Sequence, residues 1–152
     1  MPEGGWPVVM QYYKQLGERY YDSLIDMLIF DALICNEDRH FGNFGLLIDN
    51  DSNTIFDTAP IFDNGLSLFN YAMDDDLRDM ENYVGTRLMA TSQDFVTFAQ
   101  QVITGEQKKK LRKLVNFRFR RHPRYNLPPQ RLKLIEDVVQ QRVHELLRLQ
   151  TG

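Results

Sequence analysis

The chain has 152 residues, 43% of them hydrophobic, which fills one core well and two poorly. The formal net charge of −3 hides a division: residues 1–100 carry 5 Lys and Arg against 17 Asp and Glu, whereas residues 101–152 carry 13 against 4. The single cysteine, Cys35, excludes an intrachain disulfide and a thiolate zinc cluster, and Asp22, Asp26 and Asp31 interrupt the longest apolar stretch well short of the roughly 20 residues a membrane-spanning helix needs.

The first residues, MPEGGWPVV, carry no basic region followed by an apolar segment and a small-residue cleavage site, so the expected location is the cytoplasm, with no membrane partner. Leu24, Ile25, Leu28, Ile29, Ala32 and Leu33 fall at helical spacing and predict a core helix over 22–35, begun near Val8 or Tyr12, with Asp22, Asp26 and Asp31 on other faces. Cys35 reads as a small buried hydrophobe at its end. NEDRHFGN follows as a polar loop over 36–43, beneath which Phe41 and Phe44 are expected to pack.

FGLLID and NTIFDTAPIFD, separated by DNDS, predict two strands joined by a tight turn. The second strand is expected to run to Asp63-Asn64-Gly65, where Gly65 supplies the unusual backbone angles. Residues 66–90 lose periodicity around the exposed Asp74-Asp75-Asp76. Thr91 or Ser92 is expected to cap a helix through Phe95, Phe98, Val102 and Ile103 that Gly105 stops, and a second helix covers 106–119. HPRYNLPP breaks the pattern before a last helix over 129–149, with an apolar stripe of Leu132, Ile135, Val139, Val143, Leu146 and Leu147. The architecture expected is a single α+β domain, mainly helical, with a small β-hairpin beside the polar loop.

Asp38 and Asn43 stand five apart on that loop, the spacing at which one residue orients an acceptor hydroxyl and the other holds magnesium in phosphoryl transfer. Asp63, in IFDNG, is placed to approach from a second segment and complete the ion's ligands together with phosphate oxygens. Either motif alone is commonly just a turn. Their order, with a core helix, DRHFGN, a hairpin and then DNG, is what favours a kinase site.

ICNEDRHFGNFGLL and TAPIFDNGLSL resemble the HipA-like serine/threonine protein kinases, which are distantly similar to phosphatidylinositol kinases. In that branch the Arg-His pair follows the loop aspartate, as Arg39 and His40 follow Asp38 here, and the resemblance covers roughly residues 22–69. It implies a kinase-like carboxy-terminal lobe that transfers the ATP γ-phosphate to a Ser or Thr of a protein substrate. It also implies Asp38 as catalytic base, Asn43 and Asp63 as magnesium ligands within an ATP-binding site, and a toxin–antitoxin setting with an antitoxin-type regulator. Arg39 would orient the loop or neutralise the transferring phosphoryl group, or else pair with Glu37 or Asp57. His40 is expected to support the loop through a ring nitrogen rather than transfer a proton.

No glycine-rich phosphate loop and no strand lysine precede Asp38, so the nucleotide-covering lobe is expected to be absent and the isolated chain inactive. The main alternative is a catalytically incomplete kinase-derived lobe that serves as a regulatory or partner-binding module. A metal-dependent hydrolase using Asp38, His40 and Asp63 is a third reading. KKKLRKLVNFRFRRHPR superficially suits nucleic acid, but on a helix Leu111, Leu114, Val115 and Phe119 would face the core and leave a solvated basic face.

Overall fold

Gly17, at φ 130° and ψ 161°, divides the long helix expected at the start of the chain into two in the computed structural model, which describes residues 5–151. Helix α1 covers Gly5–Leu16 and α2 covers Glu18–Ile34. Residues with a side chain rarely adopt that Gly17 conformation, and its carbonyl accepts from the amides of Tyr20 and Tyr21 to start α2. Helix α2 buries Leu24, Ile25, Met27, Leu28, Ile29, Ala32, Leu33 and Ile34. A helix buried over so much of its circumference lies at the centre of a fold rather than on its surface. Asp31, expected on another face, is completely buried with it.

Strands β1 (Leu46–Asp49) and β2 (Thr54–Thr58) form the expected antiparallel hairpin, with Leu46 opposite Thr58, Asp49 opposite Thr54 and an irregularity between Leu47 and Ile48. The Asp49 carboxylate turns it, accepting from the amides of Asp51 and Ser52 and from the Ser52 hydroxyl, and these bonds hold it below the usual carboxylate range. Strand β2 stops at Thr58 instead of reaching Asp63. Ala59 makes the last backbone bond, to the Gly45 carbonyl, and Pro60 then removes the next donor.

The 66–90 segment contains two short helices where none was expected, α3 (Asp74–Arg78) and α4 (Met80–Gly85). Each is too short to show a helical repeat of apolar residues. Helix α5 (Phe95–Val102) is capped by Asp94, whose carboxylate accepts from the Thr97 amide, rather than by Thr91 or Ser92. Gly105 does not stop that helix but opens α6 (Gly105–Arg112), which Thr104 caps. Helix α6 ends at Arg112, and Asn116 at φ 65° completes the turn away from it, so 113–119 is not helical. Helix α7 (Pro129–Arg148) has proline in its first turn and buries Leu132, Ile135, Val139, Val143 and Leu146, as the stripe predicts.

One apolar core joins these elements, with α2 packed against α1, α5, α6 and α7. Trp6 of α1 stacks on Phe44 and meets Phe41 edge-on, so α1 backs directly onto the polar loop. Cys35 is fully buried and caps α2 at φ 52°. Burial pushes its thiol up, against the pull of Arg142, whose Nη2 donates to the sulfur at 3.5 Å. Among the described residues one direct ion pair, Asp26 with Lys110, joins the acidic and basic halves, and no helix is long and apolar enough to cross a membrane.

Candidate active site

Helix α2 delivers Asp31 to the base of the polar loop, where Arg39 meets it with both side chains almost entirely out of solvent. Arg39 Nε donates to Asp31 Oδ2 at 2.8 Å and Nη2 to Oδ1 at 2.9 Å, the two-pronged geometry that guanidinium and carboxylate share. The second Nη2 donor reaches Asn64 Oδ1 at 2.6 Å, and Nη1 reaches the carbonyls of Asn43 at 2.6 Å and Phe62 at 2.8 Å. All the N–H donors of the guanidinium are therefore used. Its partner is Asp31 rather than Glu37 or Asp57, and Glu37 pairs instead with Arg87 at 3.4 Å. With no donor left and 2% exposure, Arg39 is held by the protein itself and ties the loop in place.

Burial pushes the Asp31 carboxyl up, while the Arg39 guanidinium and the Asn36 amide, which donates at 3.0 Å, work against that shift. Asn36 also accepts from the Asp38 amide at 3.2 Å and approaches Asn64 Oδ1 at 3.5 Å. Asp31, Asn36, Arg39 and Asn64 thus form one buried polar knot that ties the 36–43 loop to the 62–64 turn. The Glu37 amide adds a bond to the Leu66 carbonyl at 3.0 Å.

Asp38 is half-buried, and its backbone is held from both sides. Its carbonyl accepts from the His40 amide at 2.9 Å and from Asn43 Nδ2 at 3.0 Å. Among the described residues no hydrogen bond engages its carboxylate. Asn43 is 4% exposed; its nitrogen donates to the Asp38 carbonyl, and its Oδ1 accepts no hydrogen bond among the described residues.

His40 is exposed, and its Nδ1 accepts from the Gly42 amide at 3.0 Å, which supports the loop. A Cβ on Gly42 would lie 3.0 Å from the same ring, so a larger residue there would have to push the ring aside. Asp63 is exposed at φ 54°, and the left-handed conformation expected of Gly65 falls on Asp63 instead. Such backbone angles are uncommon outside glycine and persist where the surroundings impose them; here the Phe62 carbonyl and the Asn64 side chain are both held by Arg39.

The fold thus brings Arg39, Asn43 and the 62–64 turn together, with Asp38 and His40 on the same loop. Asn43 and Asp63 each carry a hard oxygen donor, on the loop and on the turn. Among the described residues no group of three or more His, Cys, Asp or Glu lies together. Sequence reading missed Asp31, Asn36 and Asn64. The available signal was a lone acid in an apolar helix, eight positions before an arginine. Comparison of the chain with protein families, with characterised proteins and with solved structures finds no match.

Proposed function

We propose that this chain is the catalytic-loop and magnesium-binding lobe of an ATP-dependent, HipA-like protein kinase that phosphorylates a serine or threonine of a protein substrate. The observation that carries the reading is the five-donor Arg39 hub, which joins the DRHFGN loop to the DNG turn. Two segments that phosphoryl transfer needs side by side are covalently distant and physically tied.

In this reading the Asp38 carboxylate receives the hydrogen bond of the acceptor hydroxyl and takes its proton as the oxygen–phosphorus bond forms, while the bond from the γ-phosphorus to the bridging oxygen would break and ADP would leave. Asn43 Oδ1 and the Asp63 carboxylate would hold magnesium. Bound ATP and magnesium supply the phosphoryl group and neutralise its charge. His40 and Arg39 position the loop, and the amide bond from Asn43 to the Asp38 carbonyl fixes the base relative to the metal-binding oxygen. The cell setting proposed is cytoplasmic, with an antitoxin-type regulator and a nucleotide-covering lobe as partners.

A catalytically silent, partner-binding lobe is the second reading. It is favoured by the exposure of Ile48, Phe56, Ile61 and Phe62, between 43% and 52%, around the hairpin. Calorimetry with magnesium and ATP separates the two. Kinase function predicts binding that Asp63→Ala removes, and transfer of labelled phosphate, when a nucleotide-covering lobe is added in trans, that Asp38→Ala abolishes. Absence of nucleotide binding by the folded chain, alone and with that lobe, overturns it.

A further inference from the structure

Beyond the knot, the chain builds a cleft of about 340 Å³ between the segment that follows Gly65 and the basic arm before α7. Leu68, Leu132 and Ile135 contribute apolar lining, and Arg120, His122 and Tyr125 line it from the arm. The arm is not loose. Glu136 accepts from the Phe119 amide at 2.8 Å and pairs with Arg121, while Gln140 accepts from the Asn116 amide at 2.7 Å. At the tip, His122 Nδ1 accepts from the amides of Arg124 and Tyr125, and Asn126 bonds the His122 amide and carbonyl. The result is a fixed loop that leaves Tyr125 78% exposed and stacked on His122.

The opposite wall is equally constrained. Leu68 and Phe69 are consecutive residues at φ 50° and 61°, held by the Leu68 amide on the Ile34 carbonyl and by Arg131 on the carbonyls of Phe69, Asn70 and Ala72. Two adjacent left-handed residues with large side chains cost energy that only an over-determined surface holds. Arg131 is thereby spent on the protein itself. Arg120, by contrast, makes no hydrogen bond or ion pair among the described residues, and neither does the Arg124 side chain on the same loop.

We infer that this cleft, bounded by Leu68, Arg120, Tyr125 and Ile135, is the docking site for an acidic segment of the acceptor protein, which presents an apolar anchor flanked by Asp or Glu. The inference rests on the kinase reading only for calling the occupant an acceptor, because the cleft begins two residues beyond Asp63. Charge complementarity selects the occupant: an apolar floor beside the unpaired Arg120, with Arg124 on the same loop, fits a hydrophobic side chain with acidic neighbours. Nucleic acid fits less well, since its backbone needs a row of phosphate contacts and offers nothing to an aliphatic floor.

Fluorescence anisotropy with the full chain tests this without nucleotide. The probes are a labelled Glu-rich peptide with one central Leu and one Ser, the same peptide with Lys for Glu, and a single-stranded RNA oligonucleotide. The Glu peptide is expected to bind at least tenfold more tightly than the Lys peptide. Arg120→Glu combined with Arg124→Glu should weaken it at least tenfold, and Leu127→Asp, at the cleft's exposed edge, should weaken it several-fold. Circular dichroism melts of the variants should match the parent, since all three side chains are exposed.

Equal binding of both peptides, tighter binding of the RNA, or indifference to the charge reversals in folded protein overturns the inference. Magnesium–ATP binding that survives the same variants keeps a failure here separate from a failure of the kinase reading.

Discussion

Two arginine–carboxylate sites in this molecule use the same chemistry and end in opposite places. Around Asp31 and Arg39 both partners are buried, and the guanidinium spends every donor on four residues from three stretches of chain. Around Glu136 and Arg121 the carboxylate is 4% exposed but the arginine is half in solvent and braces one short arm. The first organises a site and the second presents a surface. Burial on both sides of a pair turns an ion pair into a scaffold, because each unmet bond then carries its full desolvation cost.

The sharpest way to break the contrast is Arg39→Met, which strands the Asp31 charge in the core. Urea unfolding should show a loss of about 3–5 kcal/mol. A double change to Asp31→Leu and Arg39→Met removes the buried charge, yet it should stay destabilised by more than about 1 kcal/mol because the Asn43 and Phe62 carbonyls and Asn64 Oδ1 lose their donor. Recovery to parental stability would show that the pair alone, and not the hub, matters. Gly42→Ala should cost about 1 kcal/mol by displacing the His40 ring from the Gly42 amide, again read by urea unfolding.

On the surface side, Arg121→Ala should lower stability in urea far less than Arg39→Met does, because the half-exposed guanidinium is screened by water. The smallest effect lies in acid. Arg121, and then the Phe119 amide, draw the Glu136 carboxyl below its usual range against the opposing effect of burial. Its contribution is therefore present above the unfolded value, about 4.5, and lost as pH falls through the lower folded value. Thermal melts across that window should lose part of their acid dependence in Glu136→Gln.

The hairpin, the last helix and its stripe were legible because they obey strict periods of two and 3.6 with strong punctuation at DNDS and Pro129. The break at Gly17 was not, since a glycine between helical runs carries no sign of its own φ. Helices α3 and α4 were hidden by their length. At the candidate site, Asp38, Arg39, His40 and Asn43 stood out as a motif, but the meaning of Arg39 depended on Asp31, which looked like one more acid on a helix face. Pairing across a fold leaves no spacing to read. The positive φ at Asp63 was likewise assigned to its neighbour Gly65, because residue type alone favours glycine.

The Arg39 hub has a kinetic side. Its five bonds end at positions 31, 43, 62 and 64, so they close only after the hairpin has folded back and set the 62–64 turn beside the loop. The loop and the turn then open together or not at all. In hydrogen exchange the amides of His40, Asn43 and Glu37, each bonded within this assembly, should be released as a single cooperative unit.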